Sequence, residues 1–243
     1  MLNDVCDCHF HVFGSTERYP LIPSSRYIPP VSTITDHRAR FEPLGVRRWV
    51  LVQPSCYGGD NRCLLDALAT LGASGRAVAA IPPDVSDAEL VRLHGLGVRG
   101  IRVNAVGGST LSIDQLRTIA PRLKAHGLHV QTFVQRGQLA VIADDLLATG
   151  LTVVLDHFGS PEPQLGLDQS TQRSLLRLLE SGRCWVKLSA PFRVSAQSTP
   201  YLDMIPYALD LLERRPDRLV WGSDWPYIHF IDKLPPDYDP LAY

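Results

Sequence analysis

Eight short apolar runs, each followed by a longer segment in which apolar residues recur at helical spacing, set the strongest limit on how this chain can fold. We predict that the runs are buried parallel strands, because they are continuously or alternately apolar. They span Val5–Phe13, Arg48–Gln53, Arg76–Ile81, Val98–Asn104, Leu128–Val134, Leu151–Phe158, Cys184–Ala190 and Arg218–Asp224. Eight strands that alternate with helices predict an α/β protein, a (β/α)8 TIM barrel, with residues 1–243 as a single domain.

Helix boundaries are readable between the runs. Ser86 and Ser112 each precede a glutamate or glutamine by three residues, which is a capping-box pattern, and Thr199-Pro200 is predicted to start a later helix. Only 19 residues follow Asp224, and four prolines stand among them. Because proline disrupts helix interiors, we expect the final helix of the barrel to be lacking or truncated.

The charge balance and the chain's first residues exclude several classes of partner. Lysine and arginine number 24 against 25 aspartates and glutamates, so there is no basic field for nucleic acid. The first residues lack the pattern of a secretory signal, and no run reaches the ~20 apolar residues of a membrane span. Five cysteines without tight pairing suit a reducing compartment, so we expect a cytoplasmic protein. Homo-oligomerisation stays open.

The first run carries polar residues at alternate positions. The period of two in a strand divides it into two faces, Asp7, His9 and His11 on one and Cys6, Cys8 and Phe10 on the other. We predict that the imidazoles and the carboxylate face the barrel interior, while the cysteines and Phe10 pack outward as apolar groups. Burying two polar imidazoles in one small interior layer costs free energy, which is expected only where both rings serve a function. We therefore interpret His9 and His11 as functional.

Two further groups are expected at the same end of the barrel. The alternation places His157 inward at the end of the sixth run and Asp224 inward at the end of the eighth. The carboxyl ends of barrel strands carry the chemistry of this fold. Three imidazoles and one carboxylate there could bind a divalent metal, or could act directly as proton donors and general base, and both readings stay open.

Four more side chains are candidates for binding a substrate. Arg102, Arg193, Tyr27 and Ser55 lie near the ends of their runs, where guanidinium groups could bind a carboxylate in bidentate fashion. Each arginine alone could equally be an ordinary ion-pair residue. The usual serine-hydrolase, zincin and P-loop motifs do not occur.

Seven short motifs in barrel order resemble the amidohydrolase superfamily, in particular the branch of 2-pyrone-4,6-dicarboxylate lactonase and related lactone hydrolases. They are Asp7–His11, Arg26–Pro29, Val52–Cys56, Arg99–Asn104, Leu155–Pro161, Val186–Pro191 and Trp221–Pro226. The resemblance implies a hydrolase acting on an ester bond, with small-molecule lactone or carboxylate as substrate. It implies that His9, His11 and His157 polarise the lactone carbonyl and that Asp224 takes the proton of the attacking water. The residues implied to hold the substrate are Tyr27, Ser55, Arg102 and Arg193.

Two departures from the family pattern refine these expectations. Metal-dependent members carry a further histidine or a bridging lysine on the middle strands, whereas the fifth run offers only Gln131, Thr132 and Phe133. We therefore expect no required cofactor, although His9, His11, His157 and Asp224 could still hold zinc.

The dicarboxylate lactonases have a second arginine after the fourth strand, where this chain has Gly107–Thr110, and a tyrosine where it has Phe133. We expect a substrate with one carboxylate, or with hydroxyls instead, because a buried carboxylate without a partner is costly.

Other functions remain open at this point. One alternative is a zinc-dependent hydrolase, decarboxylase or hydratase of the same superfamily that acts on a small carboxylate. Another, of a different class, is a non-catalytic barrel that binds a small carboxylate, since barrels of one fold host many functions.

Overall fold

A computed structural model of the chain describes residues 4–104, 110–228, 230 and 234. Eight parallel strands form one sheet in chain order, each paired with the next. The strands are β1 (Val5–Phe10), β2 (Val46–Val52), β3 (Gly75–Ala79), β4 (Val98–Asn104), β5 (His129–Phe133), β6 (Val153–Leu155), β7 (Cys184–Ser189) and β8 (Leu219–Gly222). Every strand falls on one of the eight predicted runs.

Helices separate the strands and cover the outside of the sheet. They are α1 (Ile34–Phe41), α2 (Arg62–Leu71), α3 (Asp87–Gly95), α4 (Ile113–Ala125), α5 (Gln138–Ala148), α6 (Ser170–Glu180), α7 (Pro191–Val194) and α8 (Ile205–Arg214). Aliphatic residues form most of their buried faces, as with Leu116, Ile119 and Leu123 of α4. Within the described ranges, no helix is both long and apolar enough to cross a lipid bilayer.

Two of the three predicted helix starts are confirmed. The Ser112 side chain accepts from the Gln115 backbone and forms a full capping box at α4, and Ser86 accepts from the Glu89 backbone at α3. The predicted start at Thr199-Pro200 is wrong, because Tyr201 adopts a left-handed backbone with φ of 57° and α8 begins only at Ile205.

The barrel closes where β8 meets β1. Asp224 N donates to His9 O at 2.7 Å, and His11 N donates to Trp225 O at 2.9 Å. This close approach needs glycine at 222, because a Cβ there would lie 2.5 Å from His9 Cβ. The architecture is therefore the predicted (β/α)8 barrel. The expected lack of a final helix concerns residues that, beyond Ile228 and apart from Phe230 and Leu234, lie outside the described part of the chain.

β1 departs from regular alternation. Asp7 pairs with Trp49 and Phe10 pairs with Leu51, so β1 advances three residues while β2 advances two. This β-bulge turns Cys8 into the barrel, where it lines a cavity with Lys187, and turns Asp7 outward onto His37 of α1. The predicted faces of Asp7 and Cys8 are therefore wrong.

Candidate active site

Three imidazoles converge on one carboxylate at the carboxyl ends of the strands. Asp224 Oδ1 lies 3.5 Å from His9 Nε2, 3.7 Å from His11 Nε2 and 3.8 Å from His157 Nε2. All four side chains are buried. The structure thus brings together the four residues that the sequence placed at one barrel mouth.

The backbone is strained at two of these residues. His157 follows β6 with φ of 50°, and Asp224 follows β8 with φ of 58°. Left-handed conformations are costly for residues other than glycine and recur at functional sites. The left-handed turn at each strand end directs the side chain into the barrel mouth.

Asp7 anchors the strained turn after β8. Its carboxylate accepts from Ser223 N at 3.0 Å, from Ser223 Oγ at 2.6 Å and from His9 N at 3.1 Å. The His37 ring nitrogen Nε2 lies 2.9 Å from the same carboxylate. Asp7 therefore does not face the pocket, but it ties His9 and the residue before Asp224 to one rigid point.

The hydrogen bonding of His11 limits its chemistry. His11 Nδ1 lies 2.8 Å from Val52 O, and a carbonyl can only accept, so Nδ1 carries the proton. Burial lowers the pKa of His11 to about 3, so the ring stays neutral and Nε2 presents a lone pair. The expectation that His11 polarises a carbonyl by donation is therefore corrected: its Nε2 can accept a hydrogen bond or bind a cation.

His9 and His157 can present a proton at Nε2. His9 Nδ1 lies 3.1 Å from Lys187 Nζ, a donor, and 3.1 Å from Asp156 Oδ1, an acceptor. His157 Nδ1 lies 2.9 Å from the Ser189 hydroxyl, which can donate or accept. Burial lowers the pKa of both rings well below the ordinary value, so both are neutral. With Nδ1 accepting, each ring carries its proton at Nε2 and can donate into the pocket.

Sequence reasoning missed the buried groups beneath His9. Lys187 Nζ donates to Gln131 Oε1 at 2.7 Å and lies 3.5 Å from Asp156 Oδ1. Asp156 escaped notice because the prediction took the odd positions of β6 as inward. Val154 lines the interior cavity with Lys187, so alternation points Asp156 inward, and the left-handed turn redirects His157. A lysine inside the apolar run of β7 is a signal that could have found Lys187.

The surroundings of the Asp224 carboxylate suit it to accept a proton. Burial raises its pKa, while Arg193 Nε, 2.5 Å from Oδ2, opposes that shift and holds the carboxylate in place. The other oxygen, Oδ1, has no hydrogen-bond partner among the described residues. Arg193 therefore binds the base directly, and its predicted contact with substrate stays a prediction.

A cavity of about 270 Å³ opens above the cluster. This volume is near the lower end of the roughly 300–1,000 Å³ of small-molecule sites. Tyr27, Ser55, Arg102 and Arg193, the four predicted binding residues, all line it. The Tyr27 hydroxyl lies 3.4 Å from Ser55 Oγ, and burial raises the pKa of Tyr27 to about 12, so the phenol keeps its proton.

The donor set fits a divalent metal. The ligand atoms of His9, His157 and Asp224 lie within 4.8 Å of one another, and His9 Nε2 and Asp224 Oδ1 are buried without hydrogen-bond partners in the described chain. A tetrahedral zinc with bonds of about 2.0–2.1 Å separates its ligands by roughly 3.3 Å, close to the spacings around Asp224 Oδ1. His9, His11, His157 and Asp224 are the residues that would hold it.

The buried histidines predict a loss of stability in mild acid. The folded pKa of His11 is about 3 and that of His129 about 4, and those of His9 and His157 are also lowered, against 6.5 for the free side chain. The unfolded chain therefore binds protons below pH 6.5 that the folded chain does not. We expect the free energy of unfolding to fall by about 1.4 kcal/mol per pH unit for each such ring, opposed in part by the raised pKa of Asp224.

Urea unfolding at pH 7.5, 6.0 and 5.0 measures this loss. The variant His129→Gln is the control, because it removes one titrating ring outside the Asp224 cluster and is expected to make the pH dependence shallower. Equal stability at pH 7.5 and 5.0 would show that these rings are not held neutral.

Comparison with known proteins places this barrel in a family. The family profile described as Amidohydrolase matches residues 6–241. The chain is 36% identical to a 2-pyrone-4,6-dicarboxylate hydrolase of Comamonas testosteroni, over 95% of this chain and 79% of the relative. It is 33% identical to a 4-sulfomuconolactone hydrolase of Hydrogenophaga intermedia, over 96% and 78%. A Pseudomonas putida structure, solved under the name 2-pyrone-4,6-dicarboxylic acid hydrolase, is 33% identical with a TM-score of 0.82 and covers 96% of this chain and 87% of its own. The chain belongs to the amidohydrolase family.

Proposed function

We propose that this protein is a hydrolase that opens a small carboxylated lactone by attack of water on the ester carbonyl. The observation that carries the proposal is the convergence of three imidazole Nε2 atoms on Asp224 Oδ1, 3.5–3.8 Å away, at the base of an arginine-lined pocket. The names of the relatives, a pyrone dicarboxylate hydrolase and a sulfomuconolactone hydrolase, support a lactone as substrate.

Asp224 is the proposed general base. Its Oδ1 faces the pocket, and its raised pKa makes it a stronger proton acceptor than an exposed aspartate. His11 Nε2, an acceptor 3.7 Å from Oδ1, would accept a hydrogen bond from the O–H that the attacking water keeps, and so orient the water's lone pair. Asp224 then delivers the abstracted proton to the departing ring oxygen, so the carboxylate is regenerated in each turnover.

His9 and His157 are the proposed donors to the carbonyl oxygen. Their neutral rings can present Nε2–H groups from one side of the pocket, and their Nδ1 atoms are already held by protein groups. A preorganised donor in a water-poor site stabilises a developing oxyanion by about 3–4 kcal/mol. Both rings are rigid, so they need no reorganisation when the charge develops.

A substrate carboxylate would bind beside Arg102, Tyr27 and Ser55, which line the same pocket as the base. Arg102 is buried, and its Nε has no hydrogen-bond partner in the described residues. Tyr27 and Ser55 stand in hydrogen-bond contact with each other and line the same pocket. Together they offer a guanidinium and two hydroxyls, a set that matches carboxylate oxygens.

We propose further that hydrolysis does not require a metal. Cationic groups surround the cluster: Lys187 Nζ is 3.1 Å from His9 Nδ1 and Arg193 Nε is 2.5 Å from Asp224. Their charges weaken the attraction of this site for a dication. When bound, zinc would supply Lewis-acid polarisation of the carbonyl and a more acidic water.

A lactone screen with and without chelator tests both parts. Monocarboxylated, dicarboxylated and sugar lactones are incubated with protein whose metal content is measured before and after dialysis against chelator. We expect hydrolysis of at least one carboxylated lactone well above background, with kcat/KM changed less than about twofold by chelation, since the four groups act without an ion.

Two outcomes would contradict the proposal. Hydrolysis of no lactone above background would favour the non-catalytic binding barrel. Loss of activity on chelation, restored only by a divalent metal, would favour the zinc-dependent hydrolase.

A further inference from the structure

The lining of the pocket carries more positive than negative charge. Among the described residues of the lining, three guanidinium groups, of Arg26, Arg102 and Arg193, face one carboxylate, that of Asp224. The pocket therefore has two positive charges in excess, and a ligand with a single negative charge would leave one of them uncompensated.

The three arginines differ in what they already bind. Arg193 pairs with Asp224 and donates to Ile228 O at 3.1 Å. Arg102 donates to Gln53 O at 2.5 Å and lies 4.0 Å from Asp156. The Arg26 side chain makes no hydrogen bond or ion pair with any residue that the structure describes. Arg26 is thus the one of these three guanidinium groups whose donors are all available to a ligand.

Arg26 lies on an anchored connection between β1 and α1. An antiparallel bridge between Phe13 and Ser32 closes the base of this connection, and Ile22 N donates to Cys56 O at 2.9 Å. Next to Arg26, the Ser25 hydroxyl donates to Tyr27 O at 2.7 Å. The backbone is therefore fixed where the exposed Arg26 side chain reaches the pocket from the solvent side.

We propose that Arg26 determines substrate specificity by binding a second anionic substituent, a carboxylate or a sulfonate, on the ring of the lactone. The inference rests on the proposed function and deepens it. The single-carboxylate expectation followed from the missing arginine after β4; here the second cation comes from the β1–α1 connection instead. Arg102 binds the buried anion and Arg26 the solvent-facing one.

Non-hydrolysable ring acids test this subsite without turnover. Benzoate carries one anion, isophthalate carries two, and 3-sulfobenzoate replaces one carboxylate with a sulfonate. Calorimetry measures their binding to the wild-type chain, to Arg26→Gln and to the control Arg92→Gln. Arg92 is an exposed residue of α3 that pairs with Glu89, so this control makes the same charge change away from the pocket.

We expect isophthalate to bind the wild-type chain more tightly than benzoate. Arg26→Gln is expected to weaken isophthalate by about five- to tenfold and benzoate by less than about twofold, the size of one accessible charge-assisted contact. Arg92→Gln is expected to change neither. A matching loss for 3-sulfobenzoate would extend the subsite to sulfonates, and no loss would restrict it to carboxylates.

Three results would overturn the assignment: Arg26→Gln lowers the affinity for both acids equally, Arg26→Gln leaves the affinity for isophthalate unchanged, or the wild-type chain binds isophthalate no better than benzoate.

Steady-state kinetics test the subsite separately from the proposed function. With doubly charged lactones, Arg26→Gln is expected to raise KM and leave kcat unchanged. If isophthalate binding depends on Arg26 but no lactone is turned over, the proposed hydrolase function is rejected and the anion-binding role of Arg26 is retained.

Discussion

Asp224→Asn is expected to lower kcat for the best lactone by about 10²–10⁴-fold, the contribution of a positioned general base. The amide keeps the shape of the side chain but cannot take a proton from water. Oδ1 is the atom on which the three imidazoles converge, 3.5–3.8 Å away, and the described lining of the pocket contains no other carboxylate. No described group is therefore placed to replace it. Steady-state kinetics on chelator-treated protein measure the loss.

Binding is expected to survive this change. Asparagine removes the negative charge beside Arg193, so the pocket becomes more positive and isophthalate is expected to bind at least as tightly as to the wild-type chain. Asp217→Asn is the matched control, because Asp217 is an exposed partner of Arg215 just before β8. A kcat for Asp224→Asn within about threefold of wild type would reject Asp224 as the base, since this loss is smaller than general bases contribute.

The barrel could be predicted from sequence because each strand is a local apolar run and each helix carries local periodicity. The positions of His9, His11 and Asp224 at one mouth followed from alternation and from the parallel order of the strands. These features depend only on residues close in the chain, so pattern reasoning reaches them.

Alternation failed where the backbone leaves regular geometry. The bulge in β1 exchanged the faces of Asp7 and Cys8. In β6, Val154 and Asp156 face inward, so His157 reaches the mouth only through the left-handed turn after the strand. Neither change has a spacing signature in a single sequence. Arg26 was overlooked for another reason: its contact with the pocket depends on how a long connection folds back, which long-range hydrogen bonds decide.

Asp156→Asn is expected to lower the free energy of unfolding by about 3–5 kcal/mol, the cost of leaving a buried charge without its partner. Asp156 is fully buried, 3.5 Å from Lys187 Nζ and 4.0 Å from Arg102. Burial already lowers the pKa of Lys187, and loss of the carboxylate removes an interaction that favours its ammonium form. Urea unfolding at pH 7.5 measures the change.

The same substitution is expected to reduce kcat at temperatures where the variant is folded. Asp156 Oδ1 lies 3.5 Å from Lys187 Nζ, the group placed to donate to His9 Nδ1, so it helps to hold the lysine that fixes the donating ring. Near-ultraviolet circular dichroism establishes that the variant is folded under assay conditions. A normal kcat in a folded but destabilised protein would limit Asp156 to stability.

A double-mutant cycle with Lys187→Met separates the two charges. If Asp156 stabilises the fold by compensating Lys187, then Asp156→Asn with Lys187→Met should cost less than the sum of the single variants, because no uncompensated ammonium remains. Lys187→Met alone leaves the Gln131 carbonyl without its donor and Asp156 without a close cation. Additive losses would mean that each group is held by other contacts, and the coupling drawn from the 3.5 Å separation would be rejected.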